Sequence, residues 1–193
     1  MPQTAARQVV ANSARDRILL TAHDLFYKEG IRATGIDRVI ADSGVAKLTF
    51  YRHFPSKHAL VLAFLDYRHV RWMIWFNDAL QRNGGAARGV AALAPALAEW
   101  FGSADYRGCA FINSVGELGG SEPDVAAIAR AHKQDMIAAI ANLMPGSRTR
   151  VRDANALGML VDGAIIRAQM DGSPATVLKA FDRAVKALMA GGD

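Results

Sequence analysis

The chain has 193 residues, of which 51% are hydrophobic and 21% charged, with 6 prolines and a single cysteine; this composition excludes a largely disordered chain and a disulfide-stapled one. The formal charge of +5 favours a polyanionic partner without naming it. Its excess is uneven, because residues 1–60 hold nine Lys and Arg against five Asp and Glu, and the remainder hold fourteen against thirteen.

The opening MPQTAARQVVANSARD lacks the apolar stretch of a signal peptide, and no other run approaches the roughly 20 residues that cross a bilayer. A soluble cytoplasmic protein with no membrane partner is expected, and a lone Cys109 fits a reducing compartment.

In chain order, Ser13 is placed to cap a first helix running to about Lys28, with Ile18, Ala22, Leu25 and Phe26 on one face and Gly30 as its stop. Thr34 is a candidate cap for a short second helix through Asp42, followed by a Ser43-Gly44 break. A third helix is predicted over residues 46–53, ending before Pro55. Ser56 should cap a long fourth helix over 56–82, apolar on more than one stripe and closed by Asn83-Gly84-Gly85. Further helices are predicted over 87–101, 110–118, 123–143, 151–170 and 174–190, with turns at Gly102-Ser103, Gly119-Gly120, Pro145-Gly146 and Gly172-Ser173-Pro174. No alternating strand pattern appears, so the fold class is all-α: a basic three-helix head over 13–60 on a more neutral helical body over 61–190.

Two short helices across a Ser-Gly turn, preceded by a longer one, match the helix-turn-helix arrangement, whose later helix enters the DNA major groove. Lys47, Thr49 and Arg52 carry donors for base edges or phosphates, and Leu48 can meet a thymine methyl. Tyr51, His53 and Lys57 are candidate phosphate contacts, while Val45, Phe50 and Phe54 are expected in the head's core. On composition and periodicity alone, the same cations also fit a solvated surface.

Residues 13–60 resemble the N-terminal domain of the TetR/AcrR family of transcriptional regulators, through the phrases ILLTAHDLFYKEGIRATGID and IADSGVAKLTFYRHFPSKHAL. The resemblance implies about nine helices, a homodimer formed mainly by the last two, a ligand cavity in the body, and two heads on a two-fold-symmetric double-stranded operator. It places Lys47, Thr49, Tyr51 and Arg52 at recognition-helix positions, and Thr34, His53 and Lys57 at backbone-contact positions. Three residues depart from the common pattern: Ala46 replaces a Ser or Thr cap, Leu48 a frequent glycine and Phe50 a frequent leucine.

In the body, Ala156, Leu160, Gly163, Ala164 and Arg167, with Leu178, Phe181 and Val185, lie on the two helices that the resemblance assigns to the dimer; by themselves they fit a monomer core equally. Trp72, Trp75, Phe76, Trp100 and Phe111, with Met136 and Ile140, are candidates for an apolar or aromatic effector pocket and, one by one, for ordinary core. In RGCAFINSVGELG, Cys109, Asn113 and Glu117 recur every four residues as a polar line that would orient a ligand if it faced a cavity; a Gly-Cys-x-Phe-x-Asn phrase also resembles one subgroup of the family. Cys109 can be read as an oxidant sensor or as an inert buried thiol.

Five histidines at 23, 53, 58, 69 and 132 show no His-Glu-x-x-His pattern, and cysteines are not paired, so no metal or cofactor is expected. Neither a phosphate loop nor a nucleophile elbow is present, so an enzyme is not expected. The functional expectation is a homodimeric repressor released by a small molecule; an activator, or an adaptor with sequence-indifferent DNA binding, is the alternative.

Overall fold

The computed structural model describes residues 13–171 and 173–191. The signal-peptide reading of the first twelve residues, and Gly172 in the last predicted turn, lie outside the described residues. Among those described there are helices and no strand, and no helix is long and apolar enough to cross a membrane.

Helix α1, Ala14–Glu29, begins where Ser13 Oγ accepts the Asp16 N–H at 3.1 Å and ends where the Gly30 N–H reaches the Phe26 carbonyl. Helix α2, Ile36–Ser43, starts later than expected. Thr34 is not its cap: the Thr34 hydroxyl donates to the Gly30 carbonyl at 2.8 Å, and Gly35 holds the cap position without a side-chain bond. The chain then reverses at Gly44, left-handed at φ 65° and ψ 31°, where a Cβ would be strained. Helix α3, Lys47–His53, starts from Ala46 with no side-chain cap. Helix α4, Lys57–Arg82, is capped by Ser56, whose Oγ accepts the Ala59 N–H at 3.0 Å.

The helix predicted over 87–101 is interrupted. It is replaced by α5, Gly85–Arg88, a 3-10 turn, Gly89–Ala92, and α6, Leu93–Phe101. Gly89 stands at φ 60° and ψ −145°, a conformation open to glycine that no α-helix contains, and an alanine-rich stretch conceals that break from periodicity. The remaining helices are α7, Ala110–Leu118, α8, Pro123–Ala141, α9, Arg150–Asp171, and α10, Pro174–Ala190. Of these, α8 stops two residues short of the expected 143.

The chain forms two compact units. The first takes the described residues up to Val70 together with Ala110–Ala129; the second takes Arg71–Cys109 and the described residues from Arg130 onward. The first unit is therefore larger than the head expected over 13–60, because it includes α7 and the start of α8. Its core is built from Ile18, Ala22 and Phe26 of α1, Val39 of α2, Phe50 of α3, Phe54, and Leu60 and Phe64 of α4, all buried, with the Phe26 and Phe64 rings edge-to-face at 5.5 Å. Arg68, also buried, lies over the Tyr27 ring at 4.0 Å and places Nη1 3.4 Å from His23 Nε2, so its guanidinium is met by a π-face and a ring nitrogen.

In the second unit α10 packs on α9 and on α6. Val161, Ile165 and Ala168 of α9, and Val177, Phe181 and Val185 of α10, are buried. Gly158 lets α9 approach α8, since a Cβ there would meet Ile137 Cγ1 at 2.7 Å.

Candidate nucleic-acid interface

Helix α3 has two unlike faces because its apolar residues recur at a spacing of four. Phe50 and Phe54 point inward, Phe50 fully buried, and Arg15 stacks over the Phe54 ring at 5.2 Å. Lys47, Leu48, Tyr51 and Arg52 are exposed, Leu48 and Arg52 on the side away from Phe50, with Leu48 at 74% of its free area. Thr49, His53 and Lys57 are half-buried. A single exposed leucine is ordinary on a protein surface; what marks this one is its company, the exposed Lys47, Tyr51 and Arg52 on the same short helix.

The charges around this face differ in availability. Arg38 on α2 is held by Asp42 at 2.6 Å and Glu29 at 3.6 Å, and hydrogen bonding to Asp42, followed by both carboxylate charges, raises its pKa further. Lys47 lies 3.4 Å from Asp37, with both side chains largely in solvent, so that pair is weak and readily exchanged for another anion. Arg52 has no ion pair among the described residues. Partial burial pushes the Lys57 ammonium down from the usual lysine range, against the opposing pull of Glu117; a phosphate beside it would favour the charged form.

Thr34 differs from its expectation as a surface contact, since its residue is 2% exposed and its hydroxyl is spent on Gly30. Glu117 differs more. Instead of lying along a cavity, its carboxylate accepts the backbone N–H groups of Ile31 at 3.1 Å and Arg32 at 2.7 Å, while Arg32 Nε donates to the Glu117 carbonyl at 2.6 Å. It closes the loop between α1 and α2, a role that residue spacing within α7 gives no means of seeing. The polar line accordingly dissolves: Cys109 is a buried residue ahead of α7, with Lys133 Nζ 3.5 Å from its sulfur, and Asn113 is half-buried.

The other candidate residues divide between the units. Phe111, Asn113 and Glu117 belong to the first. In the second, Trp72 stacks on Phe76 at 4.6 Å and meets Trp75, Trp100 and His132 at 6.1, 5.6 and 5.0 Å, while Met136 and Ile140 are fully buried. Trp72 Nε1 is buried without a hydrogen-bond acceptor among the described residues. Of the dimer candidates, Leu160, Gly163, Ala164, Arg167 and Phe181 line a groove of about 350 Å³ between α9 and α10. Ala156 and Leu178 are half-buried, and Val185 is buried within the chain.

A small core that presents a short helix with an exposed Lys, Arg and Tyr face, after a left-handed glycine turn, defines a helix-turn-helix DNA-binding regulator. Residues 18–64 match the family described as bacterial regulatory proteins, tetR family. The fold as a whole is similar to the crystal structure of SCO4454, a TetR-family transcriptional regulator from Streptomyces coelicolor, with a TM-score of 0.83 and 33% identity, covering 98% of this chain and 94% of that one. The chain thus belongs to the TetR family: it is a DNA-binding transcriptional regulator and not an enzyme.

Two further likenesses bear on function. The transcriptional activator FasR of Mycolicibacterium smegmatis is 41% identical over 56 residues, 29% of this chain and 25% of that protein. The multidrug binding protein EbrR, solved in complex with malachite green, shares the fold with a TM-score of 0.68 at 20% identity, over 90% of this chain and 96% of that one. Curated relatives are matched over 17 to 58% of their own length, less than two thirds in each case.

Proposed function

We propose that the protein is a repressor that binds an inverted-repeat operator as a homodimer and is released by a small apolar or aromatic effector. The observation that carries the DNA-reading part is the outer face of α3: Lys47, Leu48, Tyr51 and Arg52 are exposed together over a buried Phe50. In this reading Arg52 and Lys47 meet base edges, Leu48 covers a thymine methyl, and Tyr51, His53 and Lys57 set the head on phosphates. Two heads are needed because one short helix spans few base pairs, and the α9–α10 groove, lined by a Met159 that is 71% exposed, with Met170 equally exposed on α9, supports pairing there.

The effector reading rests on the tryptophan cluster. A planar ligand among Trp72, Trp75 and Trp100 would gain ring contacts, and one carrying a carbonyl would supply the acceptor that Trp72 Nε1 lacks. EbrR, with its bound aromatic dye, supports that ligand class. Activation is the second reading, favoured by the 56-residue likeness to FasR; its sign depends on where the operator lies relative to a promoter.

The test is selection of bound fragments from random duplex DNA at about 0.15 M salt, a concentration at which non-specific contacts are largely screened. The expected result is an inverted repeat bound by two chains. Recovery of no motif, or of a single half-site by one chain, would overturn the dimeric reading, and a reporter with the recovered operator would separate repression from activation.

A further inference from the structure

We propose that His58, Glu122 and Asp124 form a surface site for one divalent transition ion of the zinc class. His58 is the second residue of α4, Glu122 precedes α8 and Asp124 is the second residue of α8, so the first compact unit gathers three donors that are up to 66 positions apart in the chain. His58 Nδ1 lies 3.2 Å from Glu122 Oε2, and Nε2 lies 3.1 Å from Asp124 Oδ2. One donor atom from each residue lies within 4.8 Å of the other two.

Zinc bonds to nitrogen and carboxylate oxygen are about 2.0–2.2 Å long, which sets ligand atoms roughly 3–4 Å from one another. To bind one ion the imidazole would use one nitrogen, and the carboxylate now facing the other nitrogen would have to turn toward the ion, a rearrangement of partly exposed side chains. Metal binding requires the imidazole neutral and the carboxyls ionised, a ligand set of two negative charges that a dication balances.

The donor set selects the ion. Calcium and magnesium take oxygen ligands, whereas one imidazole with two carboxylates suits zinc, cobalt or nickel. Partial exposure of all three side chains, between 34 and 55%, leaves room for water at a fourth position. An ion there would tie the first turn of α4, next to Lys57, to the start of α8. This inference is independent of operator symmetry and of the effector.

The experiment uses the full chain without a histidine tag. Zinc is titrated against a chromophoric chelator, and cobalt is followed by its visible absorption. One equivalent is expected, with His58→Ala and Asp124→Asn each weakening zinc by at least about tenfold; Glu122→Gln, a milder change, should weaken it in the same direction. Helicity by circular dichroism and the apo Tm confirm that each variant folds, and the zinc-induced rise in Tm should disappear in the two stronger variants. Zinc binding that survives all three substitutions, or no binding by the unsubstituted chain, overturns the site. Displacement of zinc by magnesium at comparable concentration overturns the assignment to a transition ion.

Discussion

The outer face of α3 and the groove between α9 and α10 are two surfaces left uncovered among the described residues, and their chemistry is opposite. The first carries Lys47 and Arg52 around a projecting Leu48; the second carries Met159, Gly163 and Phe181 with one Arg167–Asp171 pair at 2.8 Å. Gly163 meets nothing within 4 Å where a Cβ would stand, so its smallness is not used inside the chain. Association through cations releases counterions and fails as salt rises, whereas association through apolar area is nearly indifferent to salt. On the proposed pairing, ionic strength should therefore remove DNA from the protein while leaving the two chains together.

The sharpest way to break that separation is Phe50→Ala. Emptying a fully buried ring site in the head is expected to cost about 3–5 kcal/mol and to abolish DNA binding, with self-association unchanged by ultracentrifugation. The converse change is Met159→Glu with Met170→Glu. Helicity should persist while the mass in solution falls to that of one chain, and operator affinity should drop by about a hundredfold or more as the two half-sites lose their linkage.

Within the head, Arg52→Ala is expected to cost about 1–3 kcal/mol on the preferred sequence only. Lys57→Ala should weaken all sequences alike and lower the salt slope by about one. Binding isotherms over a salt series distinguish the two, and identical profiles would remove the division into reading and positioning contacts.

The smallest effect belongs to a pair that lines neither surface. Hydrogen bonds from Arg82 at 2.7 Å, and from Asn83, hold the Glu99 carboxyl below the ordinary glutamate range against partial burial. Because its folded pKa is depressed, its contribution is present above the unfolded value of about 4.3 and is lost as pH falls through the folded one. With the Glu99 side chain 39% exposed, Glu99→Gln should cost less than about 1 kcal/mol at pH 7 and nothing at strongly acid pH, as read by urea unfolding.

What the sequence made legible follows the reach of each signal. Ser13, Gly44 and Ser56 act on groups within four residues of themselves, so the boundaries of α1, α3 and α4 are close to those expected. The alternation of Phe50 and Phe54 with Lys47, Tyr51 and Arg52 is equally local, and it suffices to orient α3. Gly89 escaped because alanine and valine around it are compatible with a helix, and only its own φ breaks one. Glu117, Thr34 and His58 were misread or passed over for another reason. Their partners are set by tertiary packing, and a helical wheel gives the face a residue takes but not what arrives there.

Glu117 also bears on where the DNA-binding part ends. The loop after α1 takes its acceptor from a residue 85 and 86 positions further along the chain. A fragment cut at residue 60 would leave the Ile31 and Arg32 amides to water, whereas a fragment that supplied residues 110–129 in trans would restore them. During synthesis, that loop stays without its acceptor until α7 has left the ribosome. The DNA-binding part of this regulator is finished only once the chain has been made through residue 117.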